Sequence, residues 1–246
     1  METRSRRPID SKRRWIGIAL LGAAALGGAA VLLFPVARAA VATAVGKPTA
    51  PPSSPVAAPR QGSVSNVRHE ESEVGNLVAD SIRAAAGADI AFLPAAAFKS
   101  GASVPKPATP AQVAAALDPA TDTIVVLSLR GEQILDALER SVSFAPQPSS
   151  GFLQVSGLTF TYDASKPGGK RVGSVTVGSA KLEAAKTYTV ATTRPLANGQ
   201  QGYFKIWEKE QITSDTGKTL ADALEQAASA RGGTLSGAVD GRIRAN

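Results

Sequence analysis

The stretch that decides the fold reads Gly151-Phe152-Leu153-Gln154-Val155-Ser156-Gly157-Leu158-Thr159-Phe160-Thr161-Tyr162-Asp163. Apolar Leu153 and Val155 fall on odd positions, whereas Leu158, Phe160 and Tyr162 fall on even ones. Period-two alternation marks a half-buried strand, and a change of parity marks an interruption of the pleat. The interruption lies at Ser156-Gly157, where glycine accepts a bulge conformation that other residues resist. The expectation is a bulged core strand, with Thr159, Thr161 and Asp163 as its polar face after the bulge.

On the N-terminal side of this strand, Val74, Leu77, Val78, Ser81, Ile82 and Ala85 trace a helical stripe that stops at Gly87. Asp89 to Leu93 is a short strand, and Pro110 to Leu117 reads as a helix opening on proline. Thr123 to Leu129 is apolar on both parities, as a strand covered on both faces requires. Ile134, Leu135, Leu138 and Val142 share one side of a helix over 132–142. On the C-terminal side, Val172–Val177, Tyr188–Thr193 and Tyr203–Trp207 are expected strands, and Thr219–Ala230 a last helix. Helices interleaved with strands make the domain α/β or α+β.

The chain ahead of this domain has a different composition. Residues 1–14 are basic, and Trp15 to Val36 is an almost unbroken apolar run. Its 22 residues at about 1.5 Å each give roughly 33 Å, enough to cross a bilayer core. The preceding positive charge keeps the N-terminus cytoplasmic and directs the remainder outward. The run is longer than a signal peptide's apolar region, which argues for an uncleaved anchor. Ala37-Arg38-Ala39 offers a small-x-small cleavage site, and Arg13-Arg14 faintly resembles a twin-arginine signal. Anchored and cleaved forms both remain open. Residues 37–60 are rich in Ala, Pro and Ser and read as an extended spacer, leaving 61–246 as the folded domain.

Charge and rare residues narrow the function. The formal charge is +7, but seven Lys/Arg against Glu2 and Asp10 sit in residues 1–39, which leaves the rest with an excess of only two. No phosphate-tracking stripe is visible, so a nucleic-acid polymer is not an expected partner. The chain has no cysteine and one histidine, His69, so it cannot by itself build a metal centre of several imidazoles or thiolates. His69 beside Glu70 and Glu71 reads as a solvated surface residue. Ser156-Gly157 does not turn into a helix and is no nucleophile elbow. Lys166-Pro167-Gly168-Gly169-Lys170 lacks Walker spacing and reads as a hairpin turn, and Tyr203 and Trp207 as core.

Several segments, in order, resemble one family. Arg68-x-x-Glu71-x-x-Val74-Gly75-Asn76-Leu77-Val78-Ala79-Asp80 resembles the entry motif of the C-terminal domain of bacterial 5′-nucleotidases. Ala88–Phe92, Val125–Gly131 with its following helix, and Gly151–Leu158 resemble that family's successive segments. So do Tyr188–Thr192, Leu196–Gly199 with Gly202-Tyr203, and the tail Asp240-Gly241-Arg242-Ile243. The resemblance implies a layered α/β/β/α sandwich that binds a nucleotide while a separate metallophosphatase domain performs hydrolysis with two metals.

The expected contact loops depart from the family pattern. Its Asn-Gly-Gly-Gly-Ile-Arg loop becomes Pro94-Ala95-Ala96-Ala97-Phe98-Lys99, in which Lys99 keeps the charge without the guanidinium fork. Its Pro-Phe-Gly-Asn loop becomes Pro119-Ala120-Thr121-Asp122, so one base-stacking ring is alanine. Its Phe-Leu-Ala-x-Gly-Gly-Asp-Gly-Tyr segment becomes Pro195-Leu196-Ala197-Asn198-Gly199-Gln200-Gln201-Gly202-Tyr203, so the second ring is proline and the acid is Gln201. Stacking is worth about 1–3 kcal/mol per base, so most of a nucleoside clamp is lost. By resemblance the ligand-binding residues are Arg68, Lys99, Asp122 and Gln201, with Arg68 alternatively pairing with Glu71.

The resulting expectation is an exported, membrane-tethered, non-catalytic binding or interaction module, with no catalytic residue, metal or cofactor of its own. Its expected partners are a separate metal-dependent phosphohydrolase or an envelope protein, a phosphorylated or acidic small molecule, and the membrane through residues 15–36. A purely structural envelope role is the alternative.

Overall fold

A computed structural model describes residues 60–246, so the apolar run at 15–36 and the spacer before Arg60 lie outside the described residues. Among the described residues no helix is long and apolar enough to cross a membrane. The chain enters through β1 (Arg60–Ser63), a 3-10 turn at Ser65–Arg68, α1 (Glu73–Ala86), β2 (Ile90–Pro94) and β3 (Ser103–Lys106). It continues through α2 (Pro110–Ala114), β4 (Thr123–Arg130), α3 (Gly131–Ser141), β5 (Leu153–Ser156) and β6 (Leu158–Tyr162). The remainder is β7 (Val172–Val177), β8 (Ala180–Lys181), β9 (Thr187–Thr193), α4 (Arg194–Ala197), β10 (Ile212–Thr219), α5 (Leu220–Ser229) and β11 (Ile243–Ala245).

These elements form a mixed α/β fold with two main sheets. The larger runs β10-β4-β9-β2-β5, and the smaller runs β11-β6-β7-β8. β1 and β3 make a separate antiparallel pair. Within the larger sheet only β2 and β9 are parallel neighbours; β4 is antiparallel to β9, with Ile124 opposite Thr193. β4 is buried at Ile124–Leu127 and Leu129, in keeping with its apolar character on both parities. Helix α1 starts where the Ser72 hydroxyl accepts the Gly75 amide at 2.9 Å and stops at Gly87, whose φ of 63° closes the helix. Its stripe of Val74, Leu77, Val78 and Ile82 is buried against the larger sheet, while α5 packs alongside.

The parity change at Ser156-Gly157 is not a bulge within one strand. β5 belongs to the larger sheet and β6 to the smaller one, so the chain passes between sheets at this residue. Gly157 has φ +78°, and a Cβ there would overlap the carbonyl oxygen of Asp89. Only glycine fits both demands. Beyond it, β6 alternates as expected, burying Leu158, Phe160 and Tyr162. Before it, β5 is buried on both faces, so the expected half-exposure is corrected. Gln154 is fully buried because its amide serves the chain crossing over it. Its Oε1 accepts the Ser72 amide at 3.0 Å, and its Nε2 donates to Val67 O at 3.1 Å and Glu70 O at 2.7 Å.

Two further local expectations change. Tyr203–Trp207 is not a strand; Gln200–Lys205 forms 3-10 turns, with Tyr203 and Trp207 buried and stacked at 5.0 Å. The helix after Thr109 ends at Ala114 instead of Leu117, although Thr109 and Gln112 supply a capping box ahead of Pro110. Lys166–Lys170 lies in the connection between antiparallel β6 and β7, as its hairpin reading requires.

The C-terminal tail is held by charge. Buried Glu71 accepts the amides of Asp240 (2.9 Å), Gly241 (3.2 Å) and Ile243 (3.3 Å) and the Asn76 side chain (2.6 Å). Arg242 places all five of its N–H groups. It grips Asp80 at 2.6 and 3.0 Å and Asp240 at 2.8 and 3.0 Å, and donates to Val155 O at 3.1 Å.

Candidate functional site

Three loops meet at one end of the larger sheet, beyond the C-terminal ends of the parallel pair β2 and β9. β2 runs into a single turn at Ala95–Ala97, pinned because the Ala95 and Ala96 amides donate to Phe152 O and Ser150 O, both at 2.8 Å. The Asp118 amide donates back to Ala97 O at 2.9 Å, and the Asp122 amide closes a turn on Pro119 O at 3.3 Å. β9 passes into α4 and then a left-handed run at Gly199, Gln201 and Gly202. Gln201, at φ 60°, is the one non-glycine with positive φ among the described residues. Such a residue needs its surroundings to hold it. Here Arg140 donates to its carbonyl, and the Ser150 hydroxyl donates to its Oε1 at 2.6 Å.

Together the loops enclose a cavity of about 190 Å³ lined by Pro94, Ala96, Asp118, Asp122, Pro195 and Gln201, among others. Ligand clefts at the C-terminal ends of parallel strands are a general feature of α/β sheets. Among the described residues, no aromatic side chain or cation lines this one. The Asp122 carboxylate has no hydrogen-bond partner among the described residues. Burial, reinforced by repulsion from Asp118, raises its pKa above the ordinary value.

Of the four residues singled out by sequence, the structure brings Asp122 and Gln201 together on this cavity and leaves two off it. Lys99 is exposed, and its Nζ donates to Ala115 O at 3.0 Å, the end of α2. Arg68 is half-buried at the end of the Ser65–Arg68 turn, where its carbonyl accepts the Ser149 amide at 2.8 Å. Its guanidinium makes no hydrogen bond or ion pair among the described residues, and Glu71 is occupied by the tail, so that pairing does not form. His69 is partly exposed, with Nε2 3.9 Å from Glu70. Among the described residues no group of three or more His, Cys, Asp or Glu side chains is placed to hold a metal ion. Sequence reasoning overlooked Asp118, whose role depends on the turn that sets it near Asp122. It also overlooked Gln154, whose burial the strand's alternation hid.

The profile of the 5′-nucleotidase C-terminal domain matches residues 42–209. The chain belongs to that family. The 5′-nucleotidase precursor of Thermus thermophilus superposes with a TM-score of 0.64 at 31% identity, covering 74% of this chain and 37% of that one. The Haemophilus influenzae NAD nucleotidase shares the fold, with a TM-score of 0.61 at 17% identity. In sequence, the trifunctional nucleotide phosphoesterase YfkN of Bacillus subtilis is 28% identical over 192 residues. That alignment takes in 74% of this chain and 13% of the Bacillus protein. The chain therefore spans a minor part of these relatives, and within the 5′-nucleotidase C-terminal family its loop pocket carries two acids and no base.

Proposed function

We propose that this chain is a non-catalytic ligand-binding module of the 5′-nucleotidase C-terminal type, with that family's α/β/β/α layering, whose loop pocket takes a small uncharged polar group such as the sugar of a nucleoside. The observation that carries the reading is the lining: Asp118 and Asp122 face the cavity, and neither Lys99 nor Arg68 does. A phosphate would bring like charge to two carboxylates, whereas a neutral hydroxyl or amino group finds an unused acceptor in Asp122 and an unused amide donor in Gln201. The size agrees. About 190 Å³ is below the roughly 300–1,000 Å³ of drug-sized sites and suits a small ligand. Hydrolysis is assigned to a separate metal-dependent phosphohydrolase, since one histidine and no cysteine give this chain poor means to hold two metals. Export and tethering through residues 15–36 complete the proposal; N-terminal sequencing of the mature protein distinguishes an anchor from cleavage near Ala39.

The test is calorimetric titration of the purified full chain with adenosine and with adenosine monophosphate, alongside a phosphate-release assay with divalent metals. Adenosine is expected to bind at least about tenfold more tightly, a difference of about 1.4 kcal/mol, and no phosphate is expected to be released. Preference for the monophosphate, or turnover abolished by a chelator, overturns the reading.

A further inference from the structure

A second cleft opens where the chain changes sheets. It measures about 500 Å³ and is walled by the last turns of α1, by Ser156–Thr159, by the β7–β8 turn at Gly178, and by the tail. Three arginines and two aspartates line it. The tail's ion pairs decide what charge remains. Arg242 spends every donor on Asp80, Asp240 and Val155 O, so its single positive charge is shared between two carboxylates and the triad keeps one net negative charge. The Ser156 hydroxyl adds a 2.6 Å bond to Asp80. Arg83 commits only Nε, at 2.8 Å to Ser156 Oγ, which aims its side chain and leaves the four Nη hydrogens without a protein acceptor among the described residues. Arg231 is exposed, and its guanidinium has no partner among the described residues.

The usual objection to an anion at a helix C-terminus is the exposed carbonyls. Here three of the last four are covered. The Gly87 and Ala88 amides donate to Ala84 O and Arg83 O, and Lys218 Nζ donates to Ala85 O at 2.9 Å.

We propose that this cleft is a binding site for a dianionic phosphoryl group, held by the Nη fork of Arg83 and the guanidinium of Arg231. Three arginines against two aspartates leave the cleft with an excess of one positive charge, and the guanidinium nitrogens that no protein acceptor takes can pair with phosphate oxygens two at a time. The volume admits a phosphorylated molecule of nucleotide size. The site is separate from the loop pocket and does not depend on what that pocket binds. The phosphoryl group can belong to a soluble compound or to a lipid headgroup, and the experiment separates the two.

The purified full chain is titrated at low ionic strength with inorganic phosphate, followed by phosphorus NMR and calorimetry. In parallel it is mixed with phosphatidylcholine vesicles with or without phosphatidic acid. Saturable phosphate binding, competed by sulfate and not by equimolar chloride, is expected. Arg231→Gln should weaken it about tenfold, and Arg83→Gln by at least as much. Arg231 is exposed and unpartnered among the described residues, so its variant keeps the wild-type melting curve and serves as the folding control. Binding only to vesicles containing phosphatidic acid, with the same dependence on Arg231, supports the site and assigns it to a lipid. No saturable binding to either probe overturns the proposal, as does binding that Arg231→Gln changes less than twofold.

Discussion

The loop pocket around Asp122 and the seam cleft around Arg83 each contain two carboxylates. In the pocket no cation accompanies them, whereas in the cleft three arginines outnumber them by one positive charge. One domain thus presents an acidic cavity and a second cleft of net positive charge. By resemblance, the loops around the pocket carry alanines, Pro195 and Gln201 where the family pattern has glycines, rings and an acid, and Asp122 where it has asparagine. The cleft is lined by Asp80, Gly157, Asp240 and Arg242, which lie in segments that resemble the family, together with Arg83 and Arg231. Ligand preference read from the altered loops alone would therefore miss half of the charge pattern on this domain.

Removing Arg242 breaks the comparison most sharply, because it turns the cleft into a second site with unanswered carboxylates. Arg242→Met should cost about 3 kcal/mol in urea unfolding, near the low end for breaking a buried pair since Asp80 keeps some solvent. It should also abolish phosphate binding, as Arg83 and Arg231 turn toward the freed Asp80 and Asp240. Loss of stability with intact phosphate affinity would show that the two arginines are not freed by the Arg242 pairs.

Acid titration sharpens the same contrast, because the two sites shift their acids in opposite directions. Hydrogen bonds from Arg242 hold the Asp240 carboxyl below its ordinary pKa, so its contribution to stability is present above the ordinary carboxylate range and is lost as pH falls. Burial and Asp118 raise Asp122, so its contribution is present while it is protonated and is lost as pH rises through the raised value. Asp122→Asn is accordingly expected to gain about 0.5 kcal/mol at pH 7 and nothing at pH 3, where the wild-type carboxyl is neutral. Asp240→Asn should show the reverse, a loss at pH 7 that fades toward pH 3. Unfolding curves at pH 3, 5 and 7 check both; parallel behaviour of the two variants would contradict the assignment.

What could be read from sequence follows the range of the forces involved. Helix α1, from its Ser72 cap to Gly87, and strand β4, apolar on both parities, are fixed by neighbours in the chain and were legible. The break at Gly157 was visible as a change of parity, but that it separates two sheets depends on Asp89, which is distant in sequence and blocks any Cβ there. The burial of Gln154 had no local signal, because its partners at Val67, Glu70 and Ser72 lie more than eighty positions away. Tyr203–Trp207 has strand-like residues, yet the positive φ values just ahead of it turn the chain into 3-10 geometry. Asp122 and Gln201, far apart in the chain, line one cavity, whereas Lys99 does not line it and gives its ammonium to the end of α2. Charge pairing in the seam cleft needed three segments in contact and had no signature along the chain.

The smallest expected change in stability bears on whether Gln201 is kept for folding or for ligand. A glutamine in the left-handed region costs about 1–2 kcal/mol that glycine would not. Glycine in turn loosens the unfolded chain by about 0.4–1 kcal/mol and forfeits the Ser150 bond, worth about 1 kcal/mol. These terms nearly cancel. Gln201→Gly should therefore melt within about 3 °C of wild type, given that 1 kcal/mol moves a domain of this size by about 2–4 °C. Adenosine affinity should nevertheless fall about tenfold, because the amide donor facing the cavity is gone. A chain that gains stability from folding alone would have no reason to hold glutamine at this angle. A variant that binds adenosine as well as wild type would remove Gln201 from the site and leave Asp122 as its recognising group.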